Sequence, residues 1–271
     1  MGRGKTTSVL TTRLGGGGGV QPDRLVVEEP LEIRLDDLLV ATTMRTPGHD
    51  YELAVGFCHT EGLLGGAPVR TVRYCATGPA SETAYNVVTV STGGVAAIPS
   101  ARLQRTTSSC GICGTASIDA LVERLVPVAS SAPASLRALV RAAAEVRARQ
   151  ELFETTGSIH AAGVFDPSSG DVSWVREDIG RHNAVDKVVG RLLLDGHLPA
   201  TGKGLFVSGR ASFEMVQKAW AAGFGLVAAV SGPSALAVET ARVAGITLVG
   251  FLRGASANVY APEPAVISRA G

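Results

Sequence analysis

A chain of 271 residues with 25 Lys and Arg against 24 Asp and Glu carries a net charge of +1, and its charges are spread along the sequence. That balance excludes the basic stripe of a nucleic-acid binder, so any anionic ligand must be met by a few local arginines. No apolar run reaches the roughly 18 residues of a membrane span and the start lacks a secretory stretch, so a cytoplasmic protein without membrane association is expected.

The opening "MGRGKTTSVLTTRLGGGGGV" shows neither helical nor strand periodicity, and a disordered lead over residues 1–20 is expected. "RLVVEEPLEIRL" and "LLVATTM" predict strands broken at Pro30 and at Asp36 and Asp37. A helix follows in "TPGHDYELAVGFCHTEGLL", with Leu53, Ala54, Phe57 and Cys58 as its apolar positions. With two further strands in "VRTVRYCA" and "TAYNVVTVST", residues 21–105 read as a small α+β domain.

Residues 106–134 read as a flexible loop carrying "CGICGT" and then a helix, "TASIDALVERLV". A further helix is expected in "SLRALVRAAAEVRARQELF", capped by Ser135. Beyond it the short apolar runs "AAGVFD", "VSWVRED", "GLFVSG", "LVAAVSG" and "TLVGFLRG" have helical segments between the later ones. That alternation predicts an α/β domain over 135–265, a mixed sheet covered by helices.

In such sheets ligands sit beyond the strand ends, and three turns there are small and polar: "SGRAS", "SGPSA" and "RGASAN". Each alone suits ordinary turn chemistry. Together they suggest an anionic, nucleotide-like ligand met by Ser208, Gly209, Arg210, Ser231, Gly232 and Arg253, with helix starts after the first two turns offering free N–H groups.

Four cysteines are too few for a disulfide scaffold, which turns attention to the chemistry of the CxxC. A structural zinc wants a second ligand pair, and neither Cys58 with Cys75 nor the scattered histidines supplies one. Thioredoxin-type chemistry wants the first cysteine at a helix start directly after a strand, whereas "SARLQRTTSS" reads as loop. Glycine-flanked Cys110 and Cys113 suit a sulfur carrier, in which one thiolate holds a persulfide on an exposed arm and a second thiol helps release it. Cys58 and Cys75 are assigned to the core.

Zinc nucleobase deaminases combine HxE with PCxxC, but here Ala162 stands where the carboxylate would be, and the CxxC precedes His160 without its proline. No structural metal is expected. The polar cluster in "WVREDIGRHNAVDKVVG" reads equally as a cleft lining or as a solvated helix start, with Asp178 as cap and Asp186 paired to Lys187 or Arg181.

Taken in order, "RTPGHDYELAVGFCHTEGLL", "CGICG", "TGSIHAAGVFD", "VREDIGRHNAVDKVVG", "LFVSGRASFEMVQKAW", "SGPSALAVETARVAGITLVGF" and "RGASANVY" resemble the FdhD/NarQ family over about residues 24 to 262. The resemblance implies a formate dehydrogenase accessory sulfurtransferase, moving sulfur from a cysteine desulfurase to the molybdenum cofactor before that cofactor enters formate dehydrogenase. It also implies a larger domain like cytidine deaminase without zinc. By motif, Cys110 matches the persulfide-forming cysteine and Cys113 its partner. Phe251, Leu252, Arg253, Gly254, Ala255 and Ser256 match the segment that binds the bis(molybdopterin guanine dinucleotide) form of the cofactor. A homodimer would suit its two guanine nucleotide arms. A cofactor-binding chaperone that transfers no sulfur is the alternative reading.

Overall fold

The computed structural model describes residues 4–16, 18–75, 81, 83, 85–97, 119, 123–128 and 134–262. Cys110, Cys113 and most of the helix expected after them lie outside the described residues.

The lead expected to be disordered instead forms a hairpin: β1 (Thr6–Arg13) pairs antiparallel with β2 (Gly19–Val26), Thr6 opposite Val26 and Arg13 opposite Gly19. β1, with four Thr and one Val among its eight residues, has high β propensity, and Gly15 and Gly16, at φ 82° and 60°, allow the chain to reverse.

β3 (Glu29–Leu35), β4 (Leu38–Arg45), β5 (Thr71–Tyr74) and β6 (Val87–Ser91) form a four-stranded sheet in the order β4-β3-β6-β5. Its inward residues Leu31, Ile33, Leu35, Val88 and Val90 pack on α1 (Asp50–Thr60) through Leu53, Ala54 and Cys58. Cys58 and Cys75 are both buried, and burial pushes the Cys58 thiol far up, leaving it inert.

The larger sheet comprises β7 (His160–Phe165), β8 (Val172–Asp178), β9 (Gly204–Val207), β10 (Leu226–Ala229), β11 (Thr247–Arg253) and β12 (Ser256–Ala261), ordered β12-β11-β10-β9-β7-β8. β9, β10 and β11 are parallel, while β12, β7 and β8 run antiparallel to their neighbours. Helices cover both faces, which is why the central strands are continuous apolar runs. Val207, Val227 and Ala229 pack on one side with α4 (Arg181–Leu194), α5 (Phe213–Ala222) and α6 (Ala235–Ala244). Phe206, Leu226 and Ala228 pack on the other with Leu139, Ala142 and Val146 of α2 (Leu136–Ala148). The Ser135 hydroxyl caps α2, accepting from the Ala138 N–H at 3.1 Å. The single helix expected here breaks after Ala148, and α3 (Glu151–Thr156) restarts where the Glu177 carboxylate accepts the Leu152 and Phe153 N–H groups at 3.0 and 2.9 Å.

The two sheets meet where α1 crosses α4. A Cβ on Gly56 would lie 1.8 Å from the Asp186 carbonyl oxygen, and one on Gly190 would lie 1.8 Å from that of Glu52, so only glycine permits this approach. Around the crossing runs a buried polar network, which overturns the reading of the 176–187 cluster as a solvated helix start with charge pairs inside one helix. Lys187 pairs with Asp178 at 2.7 Å, both side chains almost wholly enclosed, and donates to the Thr46 carbonyl at 2.9 Å. Asp186 pairs with Lys218 rather than Lys187; the Lys218 ammonium also donates to Glu61 and Thr60. Arg176 grips Glu52 through two hydrogen bonds of 2.5 and 2.8 Å. These groups tie the smaller sheet to the larger, and Arg176, Glu177 and Lys187 also line a small cleft of about 180 Å³ with Thr46, His49 and Arg149.

Candidate functional site

Strand direction gathers the candidate residues onto one edge. The parallel strands β9, β10 and β11 all end there, while antiparallel β7 begins and β8 ends there, with His160 opposite Asp178. α4 starts at the same edge, bringing Arg181 and His182.

The turns at this edge are laced together. The Ser208 N–H donates to the Ala161 carbonyl and its hydroxyl accepts the Ala161 N–H, at 2.9 and 2.8 Å. The Ser231 N–H reaches the Gly209 carbonyl, and the Phe251 N–H reaches the Ser231 carbonyl, each at 3.2 Å. Phe251 adopts φ 51°, and its 44% exposed side chain lies over Gly232, where a Cβ would come within 2.7 Å of the ring. Arg253 Nε donates to the Val230 carbonyl at 3.0 Å, fixing an exposed guanidinium beside that strand end.

The expectations for the individual residues resolve unevenly. Ser208, Gly209, Arg210, Ser231, Gly232, Phe251 and Arg253 share this edge, with Arg210 exposed. Leu252 turns into the core at 3% exposure, so its side chain cannot meet a ligand from solvent. "RGASAN", expected as a loop, is loop only in part: Gly254 and Ala255 form the turn of a β-hairpin, and Ser256 begins β12.

Beside the turns lies a cleft of about 460 Å³, lined in part by Arg147, Gln150, Phe153, His160, Ser208 and Val230. Sequence reasoning missed its far wall. Arg147 and Phe153 come from α2 and α3, with the guanidinium 4.3 Å from the ring centroid, and Arg147 also reaches Glu154 at 3.4 Å. No local pattern in those helices announces a ligand.

Electrostatically the edge favours anions, with Arg147, Arg181, Arg210 and Arg253 against few free carboxylates. Burial, followed by the charges of Arg181 and His182, pushes the His160 imidazole below its ordinary value, partly opposed by Asp178. His182 lies 3.9 Å from Glu214 and, against the effect of burial, holds that carboxyl down at about 2. Arg181 Nε, His182 Nε2 and Ser212 Oγ are buried atoms with no hydrogen-bond partner among the described residues. His182 and Ser212 both act on the Glu214 carboxylate, so Arg181 Nε is the donor of this corner best placed to serve a polar ligand. Among the described residues, no group of three or more His, Cys, Asp or Glu side chains is placed to hold a metal ion, and no helix is long and apolar enough to cross a membrane.

Comparison with known proteins decides the family, since the FdhD/NarQ family model matches residues 26–267. This chain belongs to the FdhD/NarQ family. Two curated members named sulfur carrier protein FdhD, from Streptomyces avermitilis and Streptomyces coelicolor, are 50% and 49% identical to it, each alignment covering 94% of this chain and 93% of the relative. A third, from Anaeromyxobacter dehalogenans, is 47% identical over 90% of this chain and 88% of its own. The crystal structure of a protein from Desulfotalea psychrophila, described as a formate dehydrogenase accessory protein, superposes with a TM-score of 0.74. It covers 96% of this chain and 99% of its own at 23% identity, which establishes the shared mixed α/β fold of the FdhD/NarQ chain.

Proposed function

We propose that this chain is a cytoplasmic sulfurtransferase that carries sulfur on Cys110 from a cysteine desulfurase to a molybdenum cofactor, in its bis(guanine dinucleotide) form, before that cofactor enters formate dehydrogenase. The observation that carries the reading is the convergence on one sheet edge of Arg147, Arg181, Arg210 and Arg253 with three laced turns and an exposed aromatic ring. The names of the curated relatives and of the structural neighbour point the same way.

In this reading the Cys110 thiolate attacks the outer sulfur of the donor's persulfide. The donor's S–S bond breaks, its cysteine leaves as thiolate, and the outer sulfur stays on Cys110. A persulfide is more acidic than a thiol, so positive surroundings favour the loaded anion. Cys113 helps to release the sulfur. The cofactor is substrate, and the residues present fit it: guanidinium groups for phosphate, a ring with one face on Gly232 for a base, and an Arg181 Nε donor without a partner among the described residues. Phe251, Arg253, Gly254, Ala255 and Ser256 form one side of this seat, Ser208, Gly209, Arg210, Ser231 and Gly232 the other. A twofold dimer would offer one such edge to each nucleotide arm. The six-stranded unit is read as cytidine-deaminase-like, with the zinc chemistry lost because position 162 is Ala.

The deciding experiment compares Cys110→Ala with wild type in cells lacking their own copy of the protein. Formate dehydrogenase should remain inactive with the variant although guanine nucleotide binding persists in vitro. Full activation by Cys110→Ala would replace this reading with that of a cofactor chaperone.

A further inference from the structure

Among the groups on the ligand edge, His160 is set apart. Its ring lines the cleft with Arg147, Gln150 and Ser208, and a Cβ on Gly209 would stand 3.5 Å from it, so the imidazole rests against the backbone of a candidate phosphate-binding turn. The ring is half-buried, with the cleft open beside it.

Charged groups surround it from every side. Arg181 and His182 approach from α4, Asp178 lies opposite on β8, Arg147 lines the same cleft from α2, Arg210 follows β9, and Glu214 of α5 stands behind His182. Asp178 is committed to Lys187, Asn183 and two backbone N–H groups. The edge therefore presents net positive charge to His160, which together with burial shifts the ring toward its neutral form.

An arriving dianion reverses that balance. We propose that His160 is the proton-coupled anion contact of the cleft: it takes a proton from solvent as a phosphate group of a guanine nucleotide enters, so that affinity rises as the pH falls. The inference rests on the functional reading above and deepens it by naming the residue through which pH acts. The balance is one proton moved from solvent to an imidazole nitrogen, which then donates a charge-assisted hydrogen bond to phosphate. Between the free and bound titration midpoints, affinity should improve by up to about tenfold for each unit the pH falls, and above that window it should level off.

Calorimetric titration of the full chain with GDP, in buffers of different ionisation heat, measures the protons taken up. Uptake by wild type should exceed that of His160→Gln by up to one proton, the subtraction cancelling the titration of GDP itself. The pH dependence of affinity should flatten in His160→Gln and persist in His182→Gln. Guanosine, which lacks phosphate, should show no difference between wild type and His160→Gln. In wild type, addition of GDP should move the NMR titration of the His160 ring to higher pH, a readout that needs no variant. Equal uptake in His160→Gln, or loss of the coupling in His182→Gln alone, would overturn the assignment while leaving the nucleotide seat intact. Failure of wild type to bind GDP at all would overturn both.

Discussion

The crossing of α1 and α4 gives a sharp test of the fold that supports the site. In Gly190→Ala the new Cβ would fall 1.8 Å from the Glu52 carbonyl oxygen and 2.6 Å from its carbonyl carbon, with no flexible side chain to move aside. Reaching ordinary contact of about 3.5 Å requires the helices to part by about 1.7 Å. That separation would loosen contacts of Leu53 and Ala54 and strain the Arg176–Glu52 and Lys218–Asp186 pairs. Overpacking of this kind costs about 1–3 kcal/mol, and the rigid backbone neighbour places it at the upper end. Alanine's better helix propensity returns about 1 kcal/mol. The net loss is about 2 kcal/mol, a fall in Tm of roughly 4–8 °C for a chain of this size. Thermal unfolding followed by circular dichroism measures it, with Gly19→Ala as control because nothing lies within 4 Å of its Cβ position. Gly56→Ala should behave like Gly190→Ala, and the double variant should lose less than the sum, since one separation relieves both clashes. A Gly190→Ala protein that melts with wild type would refute the close crossing.

Further outcomes follow from the charged groups. Lys218→Met should lower stability by about 3–5 kcal/mol in denaturant titration, because Asp186 and Glu61 remain enclosed without their cation. Burial alone would raise the Glu52 carboxyl, but hydrogen bonds from Arg176 and His49 outweigh it and hold the group at about 2, below its ordinary 4.5. Its contribution is therefore present above about pH 4.5 and lost as pH falls toward 2; Glu52→Gln should remove up to about 3 kcal/mol at neutral pH and flatten the acid limb of stability. Arg253→Ala should weaken GDP binding about tenfold and reduce its salt dependence while leaving Tm within about 1 °C, since the exposed guanidinium makes one backbone hydrogen bond.

What the sequence disclosed follows from the range of the forces involved. "GLFV" and "LVAA" announced strands buried on both faces because every residue in them must be apolar, and Gly209, Gly232 and Gly254 marked the turns beyond the strand ends. The hairpin of β1 and β2 was hidden, since threonines that read as solvated gain their structure only through cross-strand register. β12 was masked by reading "RGASAN" as one loop, although Gly254 at φ 54° permits a tight reversal after Arg253. Arg147 and Phe153 reach the cleft only after α2 packs under the sheet. The partners of Asp178, Asp186 and Lys187 were equally out of reach: Thr46 lies 132 residues from Asp178, and Thr60 lies 126 from Asp186. Charge pairing within one helix was therefore the wrong expectation for a segment whose polar groups tie two sheets together.

Mass spectrometry of the intact protein after incubation with a cysteine desulfurase and free cysteine tests the sulfur-carrying role most directly. One added sulfur atom, mapped to the peptide containing Cys110 and absent from Cys110→Ala, is the predicted result. A wild-type protein that remains unmodified at Cys110 while the desulfurase turns over would contradict it.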